Sequence, residues 1–125
     1  MKRIKRLIYR IFDRYLRKKA IENHRKMWRW LAEHPDKVKN DYFMIHDPKA
    51  NLEHDCYLCE YAANNSTADE IFNLDICGHC PLDWDGNCCP GHYSLFSDWH
   101  FSRGNDVERA ELAKQIAELP ERKDR

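Results

Sequence analysis

Cys56-Tyr57-Leu58-Cys59 and Cys77-Gly78-His79-Cys80 are two C-x-x-C motifs separated by seventeen residues in a chain of 125. Each motif can direct two thiolates at one point, so the pair can supply four soft ligands to a closed tetrahedral zinc site. We therefore predict a structural zinc bound by Cys56, Cys59, Cys77 and Cys80. Because four protein ligands saturate the ion, such a zinc has no open position for a substrate.

The six cysteines also allow other ligand sets. Cys88 or Cys89 can replace one member of the second pair, because the loop that follows Cys80 is long enough to turn back. A Cys3His site would use one of the nearby histidines, which are His54, His79 and His92. Each of these histidines is better explained as a solvent-facing loop residue. An iron–sulfur cluster also uses four thiolates. Buried, reduced thiols that act as small hydrophobes are the remaining alternative.

The composition is that of one small domain with a thin core. Hydrophobic residues make up 42% of the chain and charged residues 34%, and a metal that ties distant segments together would compensate for the thin core. No apolar run approaches the roughly 20 residues needed to cross a bilayer, and the basic N-terminus lacks the apolar region of a secretory signal. We therefore expect a cytoplasmic protein whose thiols stay reduced and bind metal.

A net charge of zero conceals a division along the chain. Residues 1–30 contain twelve Lys and Arg and two acids, so they carry +10, and residues 31–125 carry −10. Within residues 41–100, Lys49 is the single basic side chain among eleven acids. We predict three parts: a basic amphipathic arm (1–34), an acidic zinc-stabilised module with a C-terminal helix (35–120) and a frayed tail (121–125).

The arm has the spacing of a helix. Apolar residues recur every three or four positions over residues 2–33, with Lys and Arg between them. Proline disfavours helical geometry at the residue before it, so the helix should end near His34-Pro35. The pattern weakens at residues 17–19, and one long helix or two with a break within 18–24 would both fit. The apolar positions of the first half are Ile4, Leu7, Ile8, Ile11, Phe12, Tyr15 and Leu16.

Shorter helices are predicted after the arm. A helix over residues 36–45 should precede a loop over 46–55, and a further helix is indicated by the spacing of Tyr93, Phe96, Trp99 and His100. The clearest helix is the last, which Asn105 can cap and Glu108 can support three positions later. Its predicted apolar face is Val107, Ala110, Ala113, Ile116 and Ala117. We predict a mainly α fold: a small helical domain organised around the two-knuckle zinc site, with a long basic N-terminal helix.

The aromatic residues fit a core that shields the metal from water. A stacking platform for single-stranded nucleic acid is the alternative, and the acidic charge of the module opposes it, because phosphates would be repelled. The residues concerned are Trp28, Trp30, Trp84, Trp99, Tyr93 and Phe96.

Enzymatic function has no support in the sequence. The chain lacks H-E-x-x-H, an H-x-E upstream of P-C-x-x-C, G-x-x-x-x-G-K-[ST] and G-x-S-x-G. We predict that the protein is not an enzyme, with a zinc-dependent enzyme as a weaker alternative.

The basic arm is the candidate contact surface. Its apolar stripe could instead pack on the module, and its cations could complement acidic surface within one molecule or between two copies. Otherwise it would bind nucleic acid, an acidic protein, or an anionic membrane surface. The candidate contact residues are Lys2, Arg3, Lys5, Arg6, Arg10, Arg14, Arg17, Lys18 and Lys19.

Several stretches resemble a group of small cysteine-rich proteins encoded by tailed bacteriophages. They are Trp30-Leu31-Ala32-Glu33-His34-Pro35, Lys39-Asn40-Asp41-Tyr42, Cys56-x-x-Cys59-Glu60-Tyr61-Ala62 and Cys77-x-x-Cys80-Pro81-Leu82-x-Trp84 with Cys88. The resemblance covers about residues 27–100. It implies a zinc-binding phage protein of the host cytoplasm and no known activity. It also implies Cys88 as a contingent fifth ligand, whereas Cys89 does not belong to the pattern. The prediction is a non-catalytic phage accessory protein that binds a host or phage macromolecule, with nucleic-acid binding through the basic helix as the alternative.

Overall fold

Helices form the regular structure of the chain. The computed structural model describes residues 2–50, 56–64, 80–84 and 94–122, with side chains from Arg10 onward. Within these ranges the helices are α1 (Lys2–Glu33), α2 (Lys39–His46), α3 (Tyr57–Asn64), α4 (Leu95–Phe101) and α5 (Asp106–Ala117). The predicted mainly α fold class is confirmed. Residues 65–79, which include the second C-x-x-C motif up to His79, lie outside the described residues, as do Cys88 and Cys89.

α1 is one continuous helix of 32 residues. The break that the sequence allowed within residues 18–24 does not occur, because no proline or glycine interrupts the helix and its second half is held in the core. It ends at Glu33, before Pro35, as the sequence predicts. The His34 ring donates from Nδ1 to the Trp30 carbonyl oxygen at 2.8 Å, which satisfies one of the carbonyls at the end of the helix.

Side chains close the first turns of the shorter helices. The Asp41 carboxylate accepts the Val38 backbone N–H at the start of α2 (2.9 Å). At α5, Asn105 Oδ1 accepts the Glu108 N–H (3.2 Å), and Asn105 Nδ2 donates to the Glu108 carboxylate (3.1 Å). The predicted capping pair is therefore present, since each of these bonds satisfies a donor or positions a carboxylate at the positive end of the helix.

The core lies where the second half of α1 meets α3, α4 and α5. Trp28 and Trp99 are buried and meet edge to face, with ring centroids 4.7 Å apart. Trp30, Trp84 and Phe96 are partly buried and pack against the same cluster, and Tyr93 lies outside the described residues. The structure thus confirms the core role for the described aromatics. Other fully buried members are Met27, Leu31, Leu58, Leu82 and Ile116.

One expectation about the apolar face of α5 is wrong. Val107 is 85% exposed, and Arg109 is buried with α5's Ala113, Ile116 and Ala117. Leu82 forms an antiparallel bridge with Glu121. Asp83 N–H donates to Pro120 O (2.8 Å) and Arg122 N–H donates to Pro81 O (2.9 Å). These bonds pair the backbone of residues 81–83 with residues 120–122. Residues 123–125 lie outside the described part, so the predicted frayed tail (121–125) stays a prediction.

Candidate functional site

Cys56 and Cys59 lie at the start of α3. The Cys56 carbonyl accepts the Glu60 N–H at 3.0 Å, and its Sγ accepts the Cys59 N–H at 3.4 Å. The first knuckle is therefore a helix N-terminus, where the helix dipole favours thiolates. In the thiol form, the hydrogen bond between the Cys56 and Cys59 side chains, together with burial, raises the pKa of Cys56 well above its usual value.

Cys80 stands at the start of the segment that pairs with the tail. Burial raises the pKa of its thiol, whereas hydrogen bonds from the Leu82 backbone and the Trp84 side chain oppose the rise. The charge of Cys56 also raises this pKa. Cys80 packs against the core cluster that contains Cys56.

Three of the four predicted zinc ligands are described, namely Cys56, Cys59 and Cys80. Within residues 2–50, 56–64, 80–84 and 94–122, no three His, Cys, Asp or Glu side chains form a group that could hold a metal ion. The fourth predicted ligand, Cys77, and the substitute Cys88 lie outside these ranges. The zinc site therefore stays a prediction.

The chemistry of the described thiols suits zinc. Cys56 is buried, and Cys59 and Cys80 are partly buried. Backbone N–H groups bond to the sulfurs of Cys56 and Cys80, an arrangement that stabilises a ligated thiolate and orients it. A bound cation would reverse the direction of the thiol pKa shifts, because it favours the deprotonated form. Cys56, Cys59 and Cys80 would then hold the ion together with Cys77.

Sequence reasoning missed His24, which lies on the core side of α1. It is 1% exposed, its Nε2 donates to the Ile116 carbonyl oxygen at 3.0 Å, and its Nδ1 has no partner among the described residues. Burial lowers the pKa of His24 to about 4, so the ring is neutral near pH 7. The available signal was its place among the apolar positions that resume after Lys19, namely Ala20, Ile21, Met27, Trp28 and Leu31.

The candidate contact residues of the basic helix have different environments. Arg10, Arg14, Lys18 and Lys19 are exposed. Arg17 is partly buried and already engaged: it pairs with Glu121 (3.2 Å) and donates to the carbonyls of Pro81 (3.3 Å) and Arg122 (3.1 Å). The first four candidates lie in α1, with side chains outside the described part: Lys2, Arg3, Lys5 and Arg6.

The part of the α1 apolar stripe whose side chains the structure describes does not face the core. Its four described members are exposed: Ile11 (62%), Phe12 (56%), Tyr15 (59%) and Leu16 (51%). With 3.6 residues per turn, this outer stripe points about 150° away from the buried side chains of residues 20–31 on the same helix. Asp13 and Arg17, on the inner side, contact Tyr61 and the tail (Asp13 Oδ1 to Tyr61 Oη, 2.8 Å). The stripe is therefore exposed because it lies on the opposite side of a helix that the module already holds.

A cleft of about 400 Å³ opens beside α1, between the helix and the C-terminal segment. Four cations and two carboxylates line it around a buried apolar side chain. Arg25 is held in place by a hydrogen bond from Nη2 to the Leu119 carbonyl (3.2 Å). Arg14 and Lys18 form no ion pair with any residue in the described ranges. The lining residues are Arg14, Arg17, Lys18, Ile21, Glu22, Arg25 and Glu121.

Comparison with known proteins gives no match: no family model, curated protein or solved structure is significantly similar to the chain. Among the described helices, none is both long and apolar enough to span a bilayer.

Proposed function

We propose that this chain is a non-catalytic accessory protein of a tailed bacteriophage, stabilised by one structural zinc, that works in the host cytoplasm by binding a host or phage protein. The observation that carries the proposal is the outer stripe of Ile11, Phe12, Tyr15 and Leu16 on a helix anchored from its other side. Isolated exposed apolar residues are ordinary, whereas a contiguous exposed stripe is typical of an interaction site.

The stripe has the spacing of a helix that lies in a groove. Ile11 and Phe12, with Tyr15 and Leu16 one turn later, supply anchors at i and i+4, which apolar grooves on partner proteins recognise. Each such side chain contributes about 1.5–3 kcal/mol when fully buried. Exposed Lys19 lies on the same side of the helix as the stripe and favours a groove with an acidic rim.

The proposed zinc has a structural role in this account. With Cys56, Cys59, Cys77 and Cys80 as ligands it would join α3 to the segment that pairs with the tail, and its binding free energy would contribute to folding. A four-cysteine site leaves no position for substrate, so the proposal involves no catalytic step.

The test is co-purification from infected cells with the full-length chain and two matched double variants. We expect Phe12→Ser/Leu16→Ser to lose a specific partner protein that wild type retains after nuclease treatment. Met44→Ser/Ile45→Ser removes a still more exposed apolar pair from α2, and this variant should retain the partner. The proposal is wrong if both double variants retain the same proteins in the same amounts as wild type.

Nucleic-acid binding by the same helix is the second candidate function. The observation that favours it is the cation-lined cleft beside Arg14 and Lys18, which lies on a different side of α1 from the outer stripe. Salt-sensitive retention of DNA or RNA by the full-length chain, lost on deletion of residues 1–19, is the expected result. No retention at low salt contradicts it.

A further inference from the structure

Two of the four α1 cations that line the cleft are held in place by hydrogen bonds, unlike those of an ordinary solvated charge run. Arg25 is hydrogen-bonded to Leu119 O, and Arg17 is held by Glu121 and two carbonyls, so both guanidinium groups are fixed at the wall of the cleft. Arg14 and Lys18 project beside them without a carboxylate partner in the described ranges. Positioned Arg forks are suited to phosphate oxygens, which they can contact by two hydrogen bonds at once.

We propose that this cleft binds the phosphodiester backbone of a nucleic-acid strand, with Arg14, Lys18 and Arg25 as the contacting cations. The inference rests on the second candidate function and deepens it, because it assigns that function to a site. It is independent of protein binding by the outer stripe.

The length of the cationic row favours a strand over a single phosphate ion. Exposed Arg10 lies one turn before Arg14 on the same side of the helix, so the row from Arg10 to Arg25 extends over about 22 Å. Several consecutive phosphates would be needed to occupy such a row. The volume of about 400 Å³ lies within the range of pockets that hold drug-sized ligands, so nucleotide-sized groups can enter the cleft.

The direction of the cleft disfavours a membrane as the source of the phosphates. Along the helix, the cleft residues lie about 130° around the axis from the outer stripe. A flat bilayer that took up Phe12 and Leu16 would leave Arg25, which is tied to Leu119, on the water side. A flexible strand can follow the cleft without contacting the stripe.

Glu121 competes with the proposed ligand. Its carboxylate pairs with Arg17 at the wall of the cleft. Replacing Glu121 by Gln removes a negative charge from the site and releases an Arg17 N–H for phosphate, whereas the same change at Glu118, which does not line the cleft, removes only the charge. The difference between these two variants therefore reports on the site itself.

The test measures fluorescence anisotropy of a labelled oligothymidylate with the full-length chain over a range of salt concentrations. Each lost phosphate contact lowers the slope of log K against log salt by about 0.7 for a single strand, so Arg14→Gln/Lys18→Gln should lower it by about 1.4. The control, Lys19→Gln/Lys26→Gln, removes two exposed cations from another side of α1 and should leave the slope within error of wild type. Glu121→Gln should bind more tightly than Glu118→Gln.

The outcomes separate the two levels of the inference. If wild type does not bind at low salt, nucleic-acid binding is wrong as a function and the site fails with it. If wild type binds but both double variants lose the same slope, or the two Glu variants bind equally, the strand binds elsewhere on the arm and the cleft assignment is wrong. If anionic phosphatidylglycerol vesicles displace the oligonucleotide from wild type and not from Arg14→Gln/Lys18→Gln, the cleft binds lipid phosphates and the assignment is overturned.

Discussion

Arg17 Nη1 lies 3.2 Å from Glu121 Oε1, across 104 residues of sequence. The same guanidinium donates to the carbonyls of Pro81 and Arg122, which belong to the two backbone segments paired by the Leu82–Glu121 bridge. One side chain of the basic helix thus ties α1 to the Cys80 segment and to the tail.

The Arg17 side chain should contribute more to the free energy of unfolding than its ion pair with Glu121 alone does. The ion pair is partly exposed and screened, so Glu121→Gln should cost less than about 1 kcal/mol. Arg17→Met also leaves two carbonyls without a charged donor and should cost about 2 kcal/mol. Urea unfolding of both variants checks this, and equal costs would show that the carbonyl bonds contribute nothing.

The two sides of α1 should respond differently to substitution. Phe12→Ser changes an exposed residue of the outer stripe, so the free energy of unfolding should stay within about 0.5 kcal/mol of wild type. Leu31→Ala on the same helix opens a cavity in the core and should cost about 2–5 kcal/mol. A cost above 1 kcal/mol for Phe12→Ser, measured by urea unfolding, would mean that the outer stripe is covered in the free protein.

Stability should fall in mild acid because of His24. Its pKa is about 4 in the folded chain against 6.5 for the free side chain, so the unfolded state takes up the proton first. The His24 contribution is complete above pH 6.5, and about 3 kcal/mol of it is lost as the pH falls from 6.5 to 4.

Zinc release would also lower stability in acid, in wild type and variants alike. The His24 effect is therefore measured as the difference between the pH profiles of wild type and variants. His24→Leu should show a shallower decline than wild type from pH 6.5 to 4, and His46→Asn, at an exposed position, should decline as wild type does. Identical pH profiles for wild type and His24→Leu in urea unfolding would contradict the assignment.

Metal content should follow the predicted ligands. We expect one zinc per chain in wild type and in Cys89→Ser, and loss of zinc from Cys56→Ser and Cys80→Ser, measured by atomic emission. A strong chelator should lower both zinc content and helical circular dichroism, because the binding free energy contributes to folding. Wild type that holds no stoichiometric metal and stays folded with the chelator would refute the zinc site.

Signals confined to a few neighbouring residues predicted the helix ends well. Pro35 limits α1, and Asn105 with Glu108 starts α5, as observed. Both signals act through bonds or clashes within one turn, so they need no knowledge of the rest of the chain.

Predictions that needed a partner across the fold were less accurate. Polarity predicts that Val107 is buried and Arg109 exposed, and the structure shows the reverse. The Arg109 guanidinium lies 4.0 Å from the centre of the Trp99 ring, and Arg109 Nη1 donates to the Trp99 carbonyl oxygen at 2.7 Å. A polarity pattern cannot register a guanidinium that is satisfied by carbonyls from other segments. The backbone pairing of residues 120–122 was not predicted for the same reason, since its partners lie about forty residues earlier.

The sequence by itself determined that the chain is helical, that one end is basic, and that its cysteines stand at the spacing of zinc ligands, because periodicity, charge and spacing are properties of the chain alone. Only the tertiary structure decided which side of α1 is covered. The apolar periodicity of α1 defines one apolar face in its first half and another in its second half. It does not determine against which of these faces α3 and α5 pack, and in the fold they pack against the face of the second half. The outer stripe is left exposed as a consequence, and the cations of Arg14 and Lys18 are left beside an open cleft.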